Sequence, residues 1–204
     1  VPSYFEYVSR HSWDQCYRYE KRVLKLLQWK NPRRRWVLKT PYYLLRIPDV
    51  LKVYPDARFV WIHRDPVVAL SSLVNMVGTL NWIRSDKPFI NDAYQEWTQA
   101  EPLAAMMSQP IEWLQSGVLP PDQLCNVLYR DFIRDPLAVV QQIYDQYDIP
   151  LTDARRAVMH QYLDENRRTE RSRHRYDTGS VEVVQRDREV FRTYQTYFKV
   201  PDEL

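Results

Sequence analysis

The run Arg58-Phe59-Val60-Trp61-Ile62-His63-Arg64-Asp65-Pro66 limits more than any other what this chain can become. Branched and aromatic residues in a short run bounded by turn formers read as a buried strand. This one stops on a basic residue. An Asp-Pro pair follows at once, with Asp65 suited to cap a helix and Pro66 suited to its first position, and the pattern predicts a helix from Pro66 to about Val77. Ser72 then falls about two turns into that helix. A strand, an arginine at its carboxyl end and a hydroxyl on the next helix is how an α/β protein builds an anion site.

Two further apolar runs extend the pattern. Trp36-Val37-Leu38-Lys39, closed by Pro41, predicts a strand, and Tyr42 to Tyr54 reads as a helix that Pro48 either weakens or starts. That connection has the length of a βαβ crossover and implies parallel pairing with the central strand. Cys125 to Tyr129 predicts a third strand, after which Asp135-Pro136 repeats the cap signal before a helix over Leu137 to Tyr147. The three strands end in Lys39, Arg64 and Tyr129, each able to contact a phosphate, and in an open parallel sheet ligands bind beyond such ends.

The rest of the chain reads as helices and connections. Residues 1–15 are a loop or short helix. Cys16 to Trp29 has amphipathic spacing and ends at Asn31-Pro32. Residues 78–90 read as a loop, and a long helical stretch over about Asn91 to Ser116 is broken near Pro102 and Pro110. Thr152 caps a helix to Leu163, and a last helix over Val181 to Tyr197 turns Val184, Phe191, Tyr194 and Tyr197 inward. No repeat or internal boundary interrupts the chain, so residues 1–204 form a single α/β domain.

Composition excludes several classes. A net charge of +3 does not mark a binder of nucleic acid by bulk charge. Two cysteines, Cys16 and Cys125, make no disulfide framework and read as core thiols. His11, His63, His160 and His174 are scattered and suggest no metal centre. No run reaches the length of a membrane span and no signal peptide opens the chain, which points to a cytoplasmic protein. Only three glycines occur, so no Gly-rich phosphate loop can be written from these residues.

Taken together, Trp36-Val37-Leu38-Lys39-Thr40-Pro41, Pro55-Asp56-Ala57-Arg58-Phe59-Val60 and the passage from His63-Arg64-Asp65-Pro66 to Ser72 resemble bacterial-type sulfotransferases. Tyr129-Arg130-Asp131-Phe132 with Asp135-Pro136, and the basic stretch ending His174-Arg175-Tyr176, resemble them too, in the same order. The resemblance implies a P-loop-like parallel sheet flanked by helices. It also implies transfer of a sulfuryl group from 3′-phosphoadenosine 5′-phosphosulfate (PAPS) to the hydroxyl or amine of a small molecule or glycan, leaving 3′-phosphoadenosine 5′-phosphate (PAP). By the same resemblance Arg64 and Ser72 bind the 3′-phosphate, Tyr129 lies near the nucleotide, and Arg171, Arg173 and His174 belong to a basic loop that closes over it. Lys39 is expected to steady the transferring group and Tyr43 to stand where many relatives carry a histidine base. With an ordinary pKa of about 10, a tyrosine is a poor base at neutral pH. The family's N-terminal loop for the 5′-phosphosulfate is missing from these residues, so the domain is expected to be incomplete.

Two other readings stand beside this one: a degenerate relative that binds nucleotide without chemistry, and RNA binding through Arg33 to Arg35 and the stretch from Arg167 to Arg175. Trp82, Trp97 and Trp113 line an acceptor pocket or else the core, and homo-oligomer formation is left open.

Overall fold

The computed structural model describes residues 2–32, 35–86, 98–167 and 177–204. Two parallel strands, β1 (Phe59–His63) and β2 (Leu124–Leu128), form the sheet found among these residues, with Phe59 opposite Leu124 and His63 opposite Leu128. Helices supply most of the remaining structure. Before β1 come α1 (Pro2–Arg10), α2 (Asp14–Leu27) and α3 (Ile47–Val53). Between the strands run α4 (Pro66–Arg84) and α5 (Ala100–Gln115), and after β2 come α6 (Tyr129–Arg134), α7 (Pro136–Gln146), α8 (Asp153–Glu165) and α9 (Val181–Phe198).

Local capping chemistry sets several of these boundaries. Asp65 accepts from the Val67 N–H, Asp135 from Ala138, Thr152 from Arg155 and Ser180 from Val183. The largest core joins α4, α5 and α9 through Val67, Leu70, Leu103, Met107, Phe191 and Tyr194. Cys125 and Val127 of β2 pack on Val139 and Tyr147, while Val50 and Val53 of α3 pack on Tyr17 of α2. The Tyr147 hydroxyl reaches the carbonyls of Phe59 (2.6 Å) and Gln123 (3.1 Å), tying together the amino ends of both strands.

The main departure from the sequence reading lies at residues 36–39. They form no strand, and Val37 is 95% exposed. A strand is completed by a neighbouring edge. The edge of β1 described here pairs with β2, and no partner for residues 36–39 is described. The crossover helix is correspondingly split into a 3₁₀ turn at Pro41–Leu45 and α3. Helix α4 continues seven residues past Val77 to Arg84, into the expected loop. It is long and apolar enough to cross a membrane, yet its first turns are part of the core. Cys16 is exposed rather than a core thiol, and Tyr197 is 44% exposed rather than inward. Trp82 is also exposed. Residues Arg33, Arg34 and Trp97 lie outside the described residues.

Candidate functional site

Register alone brings two of the expected residues together. Because His63 pairs with Leu128, the residues that leave the carboxyl ends of the strands, Arg64 and Tyr129, emerge side by side. The Arg64 guanidinium carbon sits 4.5 Å from the centroid of the Tyr129 ring. Tyr129 is the first residue of α6 rather than the last of the strand, so its backbone turns away while its ring stays over the strand end. Such a cation–π contact contributes about 0.5–1 kcal/mol at a partly exposed site.

The Arg64 fork already holds an anion. Its Nε donates to both carboxylate oxygens of Glu203, each at 3.1 Å, and its terminal nitrogen donates to Oε2 at 3.0 Å. Both side chains retain nearly a third of their exposure, so this is a half-wet, two-pronged ion pair.

Beneath it lies a more deeply buried one, with side-chain exposures of 17% for Arg188 and 0% for Asp65. Asp65 has no solvent exposure in its side chain, and its oxygens accept from Arg188 at 2.8 and 2.7 Å, from the Glu203 N–H at 2.7 Å and from the Val67 N–H at 3.0 Å. Burial alone would raise the carboxyl's pKa; the Arg188 guanidinium and the two backbone donors outweigh it and hold Asp65 below the ordinary carboxylate range. Arg188 reaches on to Asp202 at 2.7 Å, and Gln195 donates to the same Asp202 carboxylate at 2.9 Å. Lys199, in the left-handed region at φ 54°, reverses the chain after α9 and directs Val200 to Glu203 back toward β1. One aspartate therefore caps α4, anchors α9 and fixes the tail that delivers Glu203.

His63 completes the strand end from the other side. Its ring is 1% exposed, stacked between Trp61 (4.3 Å) and Phe198 (4.5 Å). Nε2 donates to Asn126 Oδ1 at 2.8 Å and Nδ1 accepts from the Tyr194 hydroxyl at 2.8 Å, the tautomer that satisfies both partners. Burial pushes its pKa down to about 4, against a smaller opposing effect of Asn126, so the ring is neutral at physiological pH.

The other expected residues lie elsewhere. Ser72 is half-buried on α4. Lys39 is exposed, outside any helix or strand. Tyr43 sits in the 3₁₀ turn against Tyr17, and its hydroxyl donates to Glu20 at 3.0 Å; Tyr54 donates to the other oxygen of the same carboxylate at 3.1 Å. Burial, then the bond to Glu20, pushes the Tyr43 pKa up, so this phenol keeps its proton. Arg171, Arg173 and His174 lie outside the described residues. Sequence reasoning missed Glu20, Arg188, Asp202 and Glu203. Arg188 and Glu203 meet Arg64 and Asp65 across more than a hundred residues, and no local pattern signals such a meeting. Among the described residues no cluster of metal-binding side chains occurs.

A family model described as the sulfotransferase family matches residues 4–153. Sulfotransferase STF9 from Mycobacterium avium has a similar structure, with a TM-score of 0.74 and 26% identity over 95% of this chain and 49% of that one. Sulfotransferase STF1 from Mycobacterium tuberculosis H37Rv is similar in fold, with a TM-score of 0.65 and 24% identity over 94% of this chain and 48% of that one. The chain thus spans about half the length of either. No match among curated protein sequences accompanies these.

Proposed function

Since the chain belongs to the sulfotransferase family, we propose that it is the part of a PAPS-dependent enzyme that holds the 3′-phosphate of the donor, with Arg64 as the principal ligand. The observation that carries this reading is the Arg64 fork, seated on Tyr129 at the end of β1 and already gripping a carboxylate. A carboxylate stands in for a phosphate here: both present two coplanar oxygens to a guanidinium. The residues present therefore fit the 3′-phosphate half of the nucleotide. Ser72 contributes a hydroxyl from α4, and Arg171, Arg173 and His174 add positive charge from the basic stretch.

PAPS, when bound, supplies the sulfuryl group, and transfer to an acceptor hydroxyl or amine resembles phosphoryl transfer in asking chiefly for positioning and charge stabilisation. In this proposal Lys39 offers a cation to the oxygens of the transferring group. Tyr43 orients the acceptor. With its own proton directed at Glu20, its oxygen is free to accept a hydrogen bond from an acceptor hydroxyl, and Glu20 is the nearby carboxylate on which that proton can come to rest. Small-molecule or glycan hydroxyls or amines are the acceptor class.

The reading is tested by sulfuryl transfer from ³⁵S-labelled PAPS to a mixed panel of phenols, alcohols, amines and glycans. Label should appear in acceptor product with the parent protein and fall at least a hundredfold in Arg64→Ala. Glu20→Gln should lower kcat while leaving KM for PAPS within twofold. Transfer that is indifferent to Arg64 contradicts the assignment.

A further inference from the structure

The chain carries its own occupant for the anion site. We propose that the Glu203 carboxylate competes with the donor's 3′-phosphate for Arg64, so that nucleotide binds only as Glu203 swings aside; this rests on the placement of the 3′-phosphate at Arg64 proposed above.

Three features of the geometry support it. First, Glu203 takes the Nε edge and a terminal nitrogen of Arg64 together, the edge a phosphate monoester would need. Second, the backbone at Glu203 is fixed independently of its side chain. Its N–H is held by buried Asp65, and the preceding Asp202 is held by Arg188 and Gln195. The side chain can therefore leave while the tail remains docked. Third, the contact that would be lost is partly exposed, with side-chain exposures of 28% and 29%, whereas in the Arg188–Asp65 pair beneath it the exposures are 17% and 0%. Exposed pairs are weak and buried ones are not given up. The movable element is thus the outer ion pair alone. A dianionic phosphate monoester holds an arginine fork more strongly than a carboxylate does, so it displaces Glu203, and the affinity measured is the intrinsic affinity multiplied by the fraction of time Arg64 is free.

The test is isothermal titration of PAP into the parent, Glu203→Gln, Glu203→Ala and Arg64→Ala, with adenosine 5′-monophosphate, which lacks the 3′-phosphate, as the control ligand. Both Glu203 variants keep the backbone bond to Asp65, and their melting curves report whether the fold is kept. Removing the competing charge should tighten PAP about two- to fivefold, the range expected for freeing a fork from a partly exposed ion pair. The adenosine 5′-monophosphate affinity should not change. In the parent, the ¹³C resonance of the Glu203 carboxyl should shift as PAP saturates the site, a measurement that needs no variant. PAP binding that depends on Arg64 but is equal or weaker in Glu203→Gln overturns the competition and leaves the 3′-phosphate assignment standing. An unmoved carboxyl resonance with such binding does the same. Binding that does not depend on Arg64 in any variant overturns the assignment and the competition with it.

Discussion

Residues 36–41 and 59–66 are written alike: a short apolar run, a basic residue at its end, a proline soon after. They fold differently. The second becomes β1, and its Arg64 and Asp65 are bound by Tyr129, Arg188 and Glu203. The first forms no strand and stays open to solvent, with Lys39 exposed. Strand-forming residues supply only a preference; a neighbouring edge and burial on a face decide. Three distant segments meet at the end of β1, and the end of residues 36–39 has no such company among the described residues.

Substitutions can sharpen that contrast. The largest effect should follow from Asp65→Ala. It takes from Arg188 its buried partner, removes the cap of α4 and loosens the tail, and breaking a buried pair from one side costs about 3–5 kcal/mol. Urea unfolding of Asp65→Ala beside Lys39→Ala should show that loss for the first and a change within about 0.5 kcal/mol for the second. Comparable values would erase the distinction between the two regions.

Next in size is the pH dependence contributed by His63. Its folded pKa, about 4, lies below the ordinary value near 6.5. The unfolded chain therefore binds a proton in this interval that the folded chain refuses, and stability falls as pH drops from about 6.5 to 4. The full contribution is about 3 kcal/mol. Replacement by glutamine should flatten the denaturation midpoint over that window; an unchanged slope would mean that the ring is not held neutral. Asp65 acts at lower pH. Its depressed pKa gives stability that is complete above about pH 4 and lost as pH falls through the folded value.

Smaller still is Arg64→Ala, which removes one half-exposed ion pair and one cation–π contact. A loss of about 1 kcal/mol or less is expected by urea unfolding, although ligand binding should be abolished. That split between stability and binding is what separates a ligand-facing group from the structural Asp65 next to it. The smallest change belongs to Tyr17→Phe. The Tyr17 hydroxyl is buried without a hydrogen-bond partner among the described residues, and burial pushes its pKa up to about 12. Deleting it should leave stability unchanged or raise the melting temperature by a few degrees. A clear loss would reveal a partner for the hydroxyl.

How much of this could be read beforehand follows from distance along the chain. The caps Asp65, Asp135 and Thr152 were legible because each bonds within three residues. So were β1 and β2, whose apolar runs are dense enough to be buried wherever they pair. The α/β class and the parallel pairing were right, but the partners were not: β1 pairs with the run at 124–128, not with the one at 36–39. The neighbours of Arg64 and Asp65 were not legible, because Arg188 lies 123 positions from Asp65 and Glu203 lies 139 from Arg64. Tyr43 was noticed as a weak base, whereas the carboxylate that fixes its proton, Glu20, could be seen only once α2 and the 3₁₀ turn were in contact.

The central claim is that Arg64 is the seat of a nucleotide's 3′-phosphate, and direct titration of PAP against the parent and Arg64→Gln tests it most simply. Saturable binding in the parent that weakens at least thirtyfold in the variant, with the two proteins melting within a few degrees of each other, is the predicted result. Equal affinity in two equally folded proteins would contradict it and leave the Arg64–Glu203 pair as a structural bond at the end of β1.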